Sequence, residues 1–410
     1  MGRLAGPRSR AGDGSGVTPR RLYIAVFFAL GWLVALGVAF QFGLTSAVGA
    51  GYRRIASKLD WISQRASDAE GAALTSIRHG SRRDYLAPMQ KTLGSMTALK
   101  KPDTILFGAY DAGFPKDTSG FIELESDLRF RFPIISFYSA WGDKPDQQFP
   151  MRMIETIDRL GSVPMITWEP WVTDFDPRLR PNLPAVQQRE YASLNAVAKG
   201  DYDFYIVPWA KAAAAFKKPI FLRFAHEMND PYRYPWGPQN GNRPEDFIGA
   251  WRHVHEVFEK MGATNVLWVW SPHISMPWFE YYYPGEGYVD WVGLGILNYG
   301  NVASWSRWWT FHQILEKSYA TLLKFGKPMM VCELGTLKEG GEMLEWYRQA
   351  FYHLEHTYGG IKSLVFFNHP QDLTMSTRPL NWSVAQDKRA TDFVAREMAR
   401  ISAQGTPSSP

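Results

Sequence analysis

From Thr104 onward, short apolar runs alternate with stretches whose apolar residues recur every three or four positions, the pattern expected of βα units. Candidate strands are Thr104 to Tyr110, Phe132 to Tyr138, Ser162 to Trp168, Pro219 to Phe224, Asn265 to Trp270, Trp291 to Ile296, Lys327 to Cys332 and Ser363 to Phe367. Most are followed by loop chemistry and then by helical spacing. In Glu245 to Met261, for example, Phe247, Ile248, Trp251, Val254, Val257 and Phe258 fall on one face. Eight such runs in about 300 residues predict an α/β fold, a (β/α)8 TIM barrel over residues 101–395, with a flexible tail at 396–410.

The chain before the barrel has a different pattern. Residues 1–21 are rich in Gly, Arg and Ser and predict a disordered basic arm. Leu22 to Leu44 then runs 23 residues without a charge, long enough at about 1.5 Å per residue to cross a hydrocarbon core of about 30 Å. The competing reading is a cleaved signal peptide with Ala47-Val48-Gly49 as its small-residue site, but a signal's apolar region usually runs only about 7–15 residues. We therefore expect a single-pass transmembrane signal-anchor in the cytoplasmic membrane. Positive charge before the span exceeds that just after it, at Arg53, Arg54 and Lys58, which puts the N-terminus inside and the barrel in the periplasm or outside the cell. Residues 45–100 begin with helical spacing at Tyr52, Ile55, Leu59 and Ile62 and then turn polar, so they are expected to form a stalk.

Charge changes the picture once. Residues 1–100 carry 14 Lys or Arg against 5 Asp or Glu, whereas the remainder carries 31 against 35. The basic balance belongs to the arm, and the body offers no electrostatic footprint for nucleic acid. Cys332 is the lone cysteine, so no intrachain disulfide forms.

The chemistry gathers where the predicted strands stop. The ends read Tyr110-Asp111, Tyr138-Ser139-Ala140-Trp141, Trp168-Glu169-Pro170-Trp171, His226-Glu227-Met228-Asn229, Trp270-Ser271-Pro272-His273, Leu297-Asn298-Tyr299, Glu333-Leu334-Gly335 and Phe367-Asn368-His369. In a barrel these ends meet at one face. Aromatic rings beside hydrogen-bonding groups suit a sugar, whose C–H face is apolar and whose hydroxyls lie at the rim. Glu227 and Glu333 supply the two carboxylates that glycoside cleavage needs. They follow the fourth and seventh strands, which lie across a barrel from each other. Glu169, followed by Pro170 and flanked by Trp168 and Trp171, suits substrate positioning. A zinc-protease reading of His226-Glu227 fails because Asp230 stands where the second His is required. No metal and no cofactor is expected.

Three further groups are open at this stage. Arg223 is either a core ion-pair partner or a support for the carboxylates. His226 reads as a hydrogen-bonding neighbour rather than a general base, and Asn229 as a loop cap or a sugar contact.

The run Arg223-Phe224-Ala225-His226-Glu227-Met228-Asn229 with Tyr234-Pro235-Trp236-Gly237 resembles glycoside hydrolase family 26, a family of β-mannanases with some β-1,3-1,4-glucanases and xylanases. So do Trp268-Val269-Trp270-Ser271-Pro272, Tyr282-Tyr283-Pro284-Gly285, Tyr288 to Gly293 and Cys332-Glu333-Leu334-Gly335. The similarity spans roughly residues 101–390. It implies a retaining endo-glycanase with Glu227 as acid/base, Glu333 as nucleophile, Tyr299 near the nucleophile and His226 beside the acid/base. Two positions depart from the pattern: Leu297 stands where many mannanases of the family carry an acid, and Arg233 interrupts the aromatic pair after the acid/base.

The expectation is hydrolysis of a β-linked polysaccharide or oligosaccharide, first β-1,4-mannan and alternatively β-1,3-1,4-glucan. A reading from another class is a non-catalytic, membrane-anchored glycan-binding or scaffold protein beside polysaccharide-synthesis or export machinery. Burying two carboxylates without a use disfavours it.

Overall fold

In a computed structural model of the protein, which describes residues 82–404 apart from Pro115, eight parallel strands close into a barrel in chain order. They are β1 (Leu106–Asp111), β2 (Ile134–Ala140), β3 (Val163–Glu169), β4 (Ile220–Phe224), β5 (Val266–Trp270), β6 (Trp291–Asn298), β7 (Met329–Thr336) and β8 (Ile361–Asn368). Each lies on one of the apolar runs read from the sequence. Both faces of a barrel strand are covered, so β4, β5 and β7 are buried at every residue and read as continuous hydrophobic runs.

Alternation along each strand sorts the residues between two cores. Leu106, Ile134, Val163, Met165, Phe221, Leu267, Val269, Trp291, Met330, Cys332 and Val365 fill the barrel. Their neighbours, among them Ile166, Trp168, Leu222, Phe224, Trp268 and Trp270, point outward into the larger layer between sheet and helices. That layer is supplied by helices such as α1 (Ser119–Asp127), α2 (Met151–Arg159), α3 (Asp203–Phe216), α4 (Pro244–Lys260), α5 (Phe311–Leu323), α6 (Met343–His356) and α7 (Lys388–Gln404). Between β5 and β6 the chain makes only two short 3-10 turns, Phe279–Tyr282 and Glu286–Tyr288, and this long connection reaches up to one wall of the site.

Two boundaries move. Residues 82–100, expected to belong to a stalk, instead close the end of the barrel remote from the strand C-termini. Leu93 and Leu99 join the interior core, and Trp291 donates its Nε1–H to the Leu99 carbonyl at 2.9 Å. Arg82 is buried, paired with Glu125 at 2.8 Å and bonded to Ser162 and the Phe132 carbonyl. The apolar plug is worth more buried against the open barrel end than in solvent. At the other terminus α7 continues to Gln404, through part of the expected tail, because Ala390, Val394, Met398 and Ile401 form one buried stripe. No helix among the described residues is long and apolar enough to cross a membrane. The expected arm and the span Leu22 to Leu44 lie outside the described residues.

Candidate active site

A cleft of about 1010 Å³ opens at the strand C-termini. Glu227 and Glu333 both line it, together with Tyr232, Arg233, His273, Trp278, Leu297, Tyr299, Trp305 and Trp309.

Glu333 owes its aim to an irregularity in β7. Leu294 pairs with Val331 but the next residue, Gly295, pairs with Glu333, so Cys332 is skipped. Strict alternation after the inward Cys332 would turn Glu333 outward; the bulge keeps it on the inner side. There its Oε1 accepts from Arg223 Nη2 at 2.6 Å and from the Tyr138 hydroxyl at 2.8 Å. Arg223 lies on the same face of β4 as Phe221, is almost wholly buried, and is held further by Thr167 Oγ1 at 2.9 Å. Burial by itself would raise the Glu333 pKa, but the charge and hydrogen bond of Arg223, with the Tyr138 hydroxyl, outweigh it and hold the carboxyl below the usual range.

Glu227 follows β4 in a left-handed conformation, φ 53°, after Ala225 at φ 43°. Two non-glycine residues at positive φ mark strain that the surroundings must hold. The Glu227 amide donates to the Ser271 carbonyl at 2.7 Å and the Ala225 amide to Trp168 O at 3.1 Å, which ties the turn to the neighbouring strand ends. Glu227 Oε1 rests on Gly295: a Cβ there would meet it at 3.3 Å. Gly295 is also the register partner of Glu333, so the backbone that carries Glu333 lies beside the glycine on which the Glu227 carboxylate rests. Burial raises the Glu227 pKa, with Glu333 adding to the rise and His273 and Arg233 opposing it; the net direction is up.

The remaining expected site residues divide into those in the cleft and those behind it. His226 is buried and neutral, its pKa pushed well down by burial and by the Arg223 charge, and its Nε2 lies 3.0 Å from the Tyr234 hydroxyl. Tyr234 stacks on Trp236 at 4.7 Å, and Trp236 is itself buried, donating to the His226 carbonyl at 2.7 Å. Asn229 is a clamp: its Nδ2 donates to the His273 carbonyl at 3.1 Å and its Oδ1 accepts from the His273 amide at 2.7 Å. His226, Asn229 and Trp236 therefore support the wall and do not form it. Glu169 accepts from Trp171 Nε1 at 3.0 Å, and burial pushes its carboxyl up to about 7.

Trp168 and Trp270, expected as substrate-binding rings, are corrected. Trp168 stacks on Trp209 of α3 at 4.6 Å, and Trp270 packs edge-on against Tyr283 and Phe325, both on the outer side of the sheet. The strand parity that turns Thr167 and Val269 inward turns these two tryptophans away from the cleft. Tyr299 does line the cleft, edge-on to Trp305 and Trp382, but the hydroxyl bonded to Glu333 is that of Tyr138. Tyr138 stood among the strand-end aromatics without a role. Trp278 and Trp305, 65% and 58% exposed in the cleft wall, had no strand-end signal because they sit deep in loops.

Glu227, Asp230 and His273 each bring one polar atom within 4.8 Å of the others. Arg233 approaches the same carboxylate, its Nη1 3.1 Å from Glu227 Oε2, and we assign no metal to the trio.

Residues 185–335, which include both carboxylates, match the sequence profile of glycosyl hydrolase family 26. Endoglucanase H of Acetivibrio thermocellus is 30% identical to the chain over 220 residues, 52% of this chain and 22% of that protein. Mannan endo-1,4-β-mannosidase A and B of Caldalkalibacillus mannanilyticus is 28% identical over 125 residues, 28% of this chain and 21% of that protein. The chain thus spans about a fifth of the length of these relatives. In fold, the barrel is similar to that of a solved β-mannanase of Bacteroides ovatus, with a TM-score of 0.52 and 17% identity over 78% of this chain and 94% of that one.

Proposed function

We propose that the chain is a retaining endo-β-glycanase. The observation that carries the reading is that two buried carboxylates line one cleft in oppositely tuned surroundings, Glu227 raised and Glu333 lowered. A carboxyl biased toward its protonated form and a second biased toward its ionised form are the division of labour that double displacement requires. In this reading Glu227 gives its proton to the glycosidic oxygen as that bond breaks. Glu333 attacks the anomeric carbon to form a glycosyl ester. Tyr138 and Arg223 both engage Oε1, which leaves Oε2 as the attacking atom. Glu227, now a carboxylate, takes a proton from the water that cleaves the ester. The alkaline limb of the rate then follows loss of the Glu227 proton and the acid limb follows protonation of Glu333.

Glu227→Ala tests the acid. Substrates with poor leaving groups should lose about 10²–10⁴-fold in kcat/KM, the usual contribution of a general acid, while activated aryl glycosides lose far less at the glycosylation step. Azide should restore turnover on the aryl glycosides and give the β-glycosyl azide, because it enters from the face that water uses. Equal losses on both substrate classes would remove Glu227 from this role.

For the substrate we propose β-1,4-mannan, on the likeness to mannanases. A second reading, β-1,3-1,4-glucan, is favoured by Leu297, an apolar residue in the cleft wall where many mannanases carry an acid, and by the longer match to an endoglucanase. Mannose presents its 2-hydroxyl axially, so a site selecting it needs a polar partner there, and a buried hydroxyl left unpaired loses about 1–3 kcal/mol. Manno- and mixed-linkage gluco-oligosaccharides of equal length separate the two by kcat/KM. A preference of about tenfold for the glucan, a difference of about 1.4 kcal/mol, would replace mannan as the substrate.

A further inference from the structure

Arg233 breaks the aromatic pair of the family 26 pattern, and its side chain ends on Glu227. Its Nη1 lies 3.1 Å from Glu227 Oε2, its guanidinium lies 5.2 Å from the centre of the Tyr234 ring, and the side chain is 28% exposed in the cleft wall. The other oxygen, Oε1, faces Gly295. A guanidinium has donors only. The contact therefore favours the ionised carboxylate and opposes the rise that burial imposes on the acid.

We propose that Arg233 is a positioning residue that latches the Glu227 carboxylate in the empty cleft and leaves it when a glycan chain is seated, so that the acid is armed by occupancy of the cleft. The proposal rests on the reading of Glu227 as the general acid. The anchoring geometry suits a latch: the arm is long, arises from a loop and is partly solvated, whereas the other arginine nearby, Arg223, is wholly committed to Glu333, Thr167 and Tyr138. The other groups around Glu227 are His226 from the end of β4, Asp230 and Tyr234 from its own loop, His273 after β5, Tyr299 after β6 and Glu333 on β7. Among the described residues, the cation in ion-pair contact with Glu227 is Arg233. Removing it should therefore shift Glu227 upward, since a neighbouring positive charge favours the carboxylate.

The test compares wild type, Arg233→Gln and Arg233→Lys as full-length protein labelled with ¹³C at the Glu carboxyls. The Glu227 signal is identified by its loss in Glu227→Gln. In Arg233→Gln the Glu227 titration should move up by about one pH unit, and in Arg233→Lys, which keeps the charge, it should stay near wild type. Kinetics on the better of mannan and mixed-linkage glucan supply the second readout. In wild type the alkaline limb of kcat, which reports the occupied enzyme, should lie above that of kcat/KM, which reports the free enzyme. In Arg233→Gln the two limbs should coincide.

A Glu227 titration unmoved in Arg233→Gln, or coincident limbs in wild type, overturns the latch. If instead the alkaline limb on an activated aryl glycoside survives in Glu227→Ala, the acid assignment itself falls. The two failures are thereby told apart.

Discussion

Glu333→Ala is expected to abolish turnover on every glycoside, activated aryl glycosides included, by about 10⁴-fold or more, because no covalent intermediate forms without the attacking carboxylate. The loss differs in kind from that of Glu227→Ala, where a good leaving group bypasses the missing acid. Azide distinguishes the two in stereochemistry. In Glu333→Ala it occupies the space of the removed carboxylate, attacks from that face and yields the α-glycosyl azide by a single inversion. In Glu227→Ala it attacks the glycosyl ester from the opposite face and yields the β product by two inversions. Recovering the α azide from Glu227→Ala and the β azide from Glu333→Ala would exchange the assigned roles.

Arg223→Met should damage both stability and rate. Arg223 and Glu333 are a buried pair with side chains 1% and 12% exposed, and removing one partner of such a pair costs about 3–5 kcal/mol because the other charge is stranded. The stranded Glu333 keeps its burial but loses the cation that offset it, so its carboxyl rises and the acid limb of activity moves to higher pH.

The stability of the pair also has a pH signature. In the wild type the Glu333 pKa is depressed on folding, so its contribution is present above the unfolded Glu value of about 4.3 and is lost as pH falls through the folded value. Denaturant midpoints should therefore differ most between wild type and Arg223→Met near neutrality and converge in acid. The double variant Arg223→Met/Glu333→Ala strands no charge and should regain much of the stability while remaining inactive. A variant Arg223→Met with wild-type midpoints and an unmoved acid limb would remove Arg223 from this role.

How much of this was legible in the chain varies with the range of the interaction. Each of the eight strands lies on an apolar run bounded by loop residues, since a strand covered on both faces must be hydrophobic throughout. The face of Arg223 follows from its parity with Phe221 and Thr167. Parity likewise assigned Trp168 and Trp270 to the helix layer, although the composition of the strand ends suggested sugar platforms. By contrast, nothing in the run Met329 to Gly335 announces that Cys332 is skipped in the pairing with β6. That bulge is a property of how β7 pairs with β6 and not of the β7 sequence alone.

Local periodicity and residue type by themselves determined the eight strands and the presence of Glu227 and Glu333 at strand ends, because burial on a pleated or helical lattice writes its period directly into the chain. Tertiary structure alone decided that residues 82–100 plug the barrel, that Tyr138 and Arg223 share one oxygen of Glu333, and that Arg233 reaches Glu227. Arg223 and Glu333 are separated by 110 positions, Tyr138 and Glu333 by 195. No local pattern encodes such contacts; barrel closure brings the strand ends within hydrogen-bonding distance, and only there do burial and charge set one carboxyl above its usual range and the other below it.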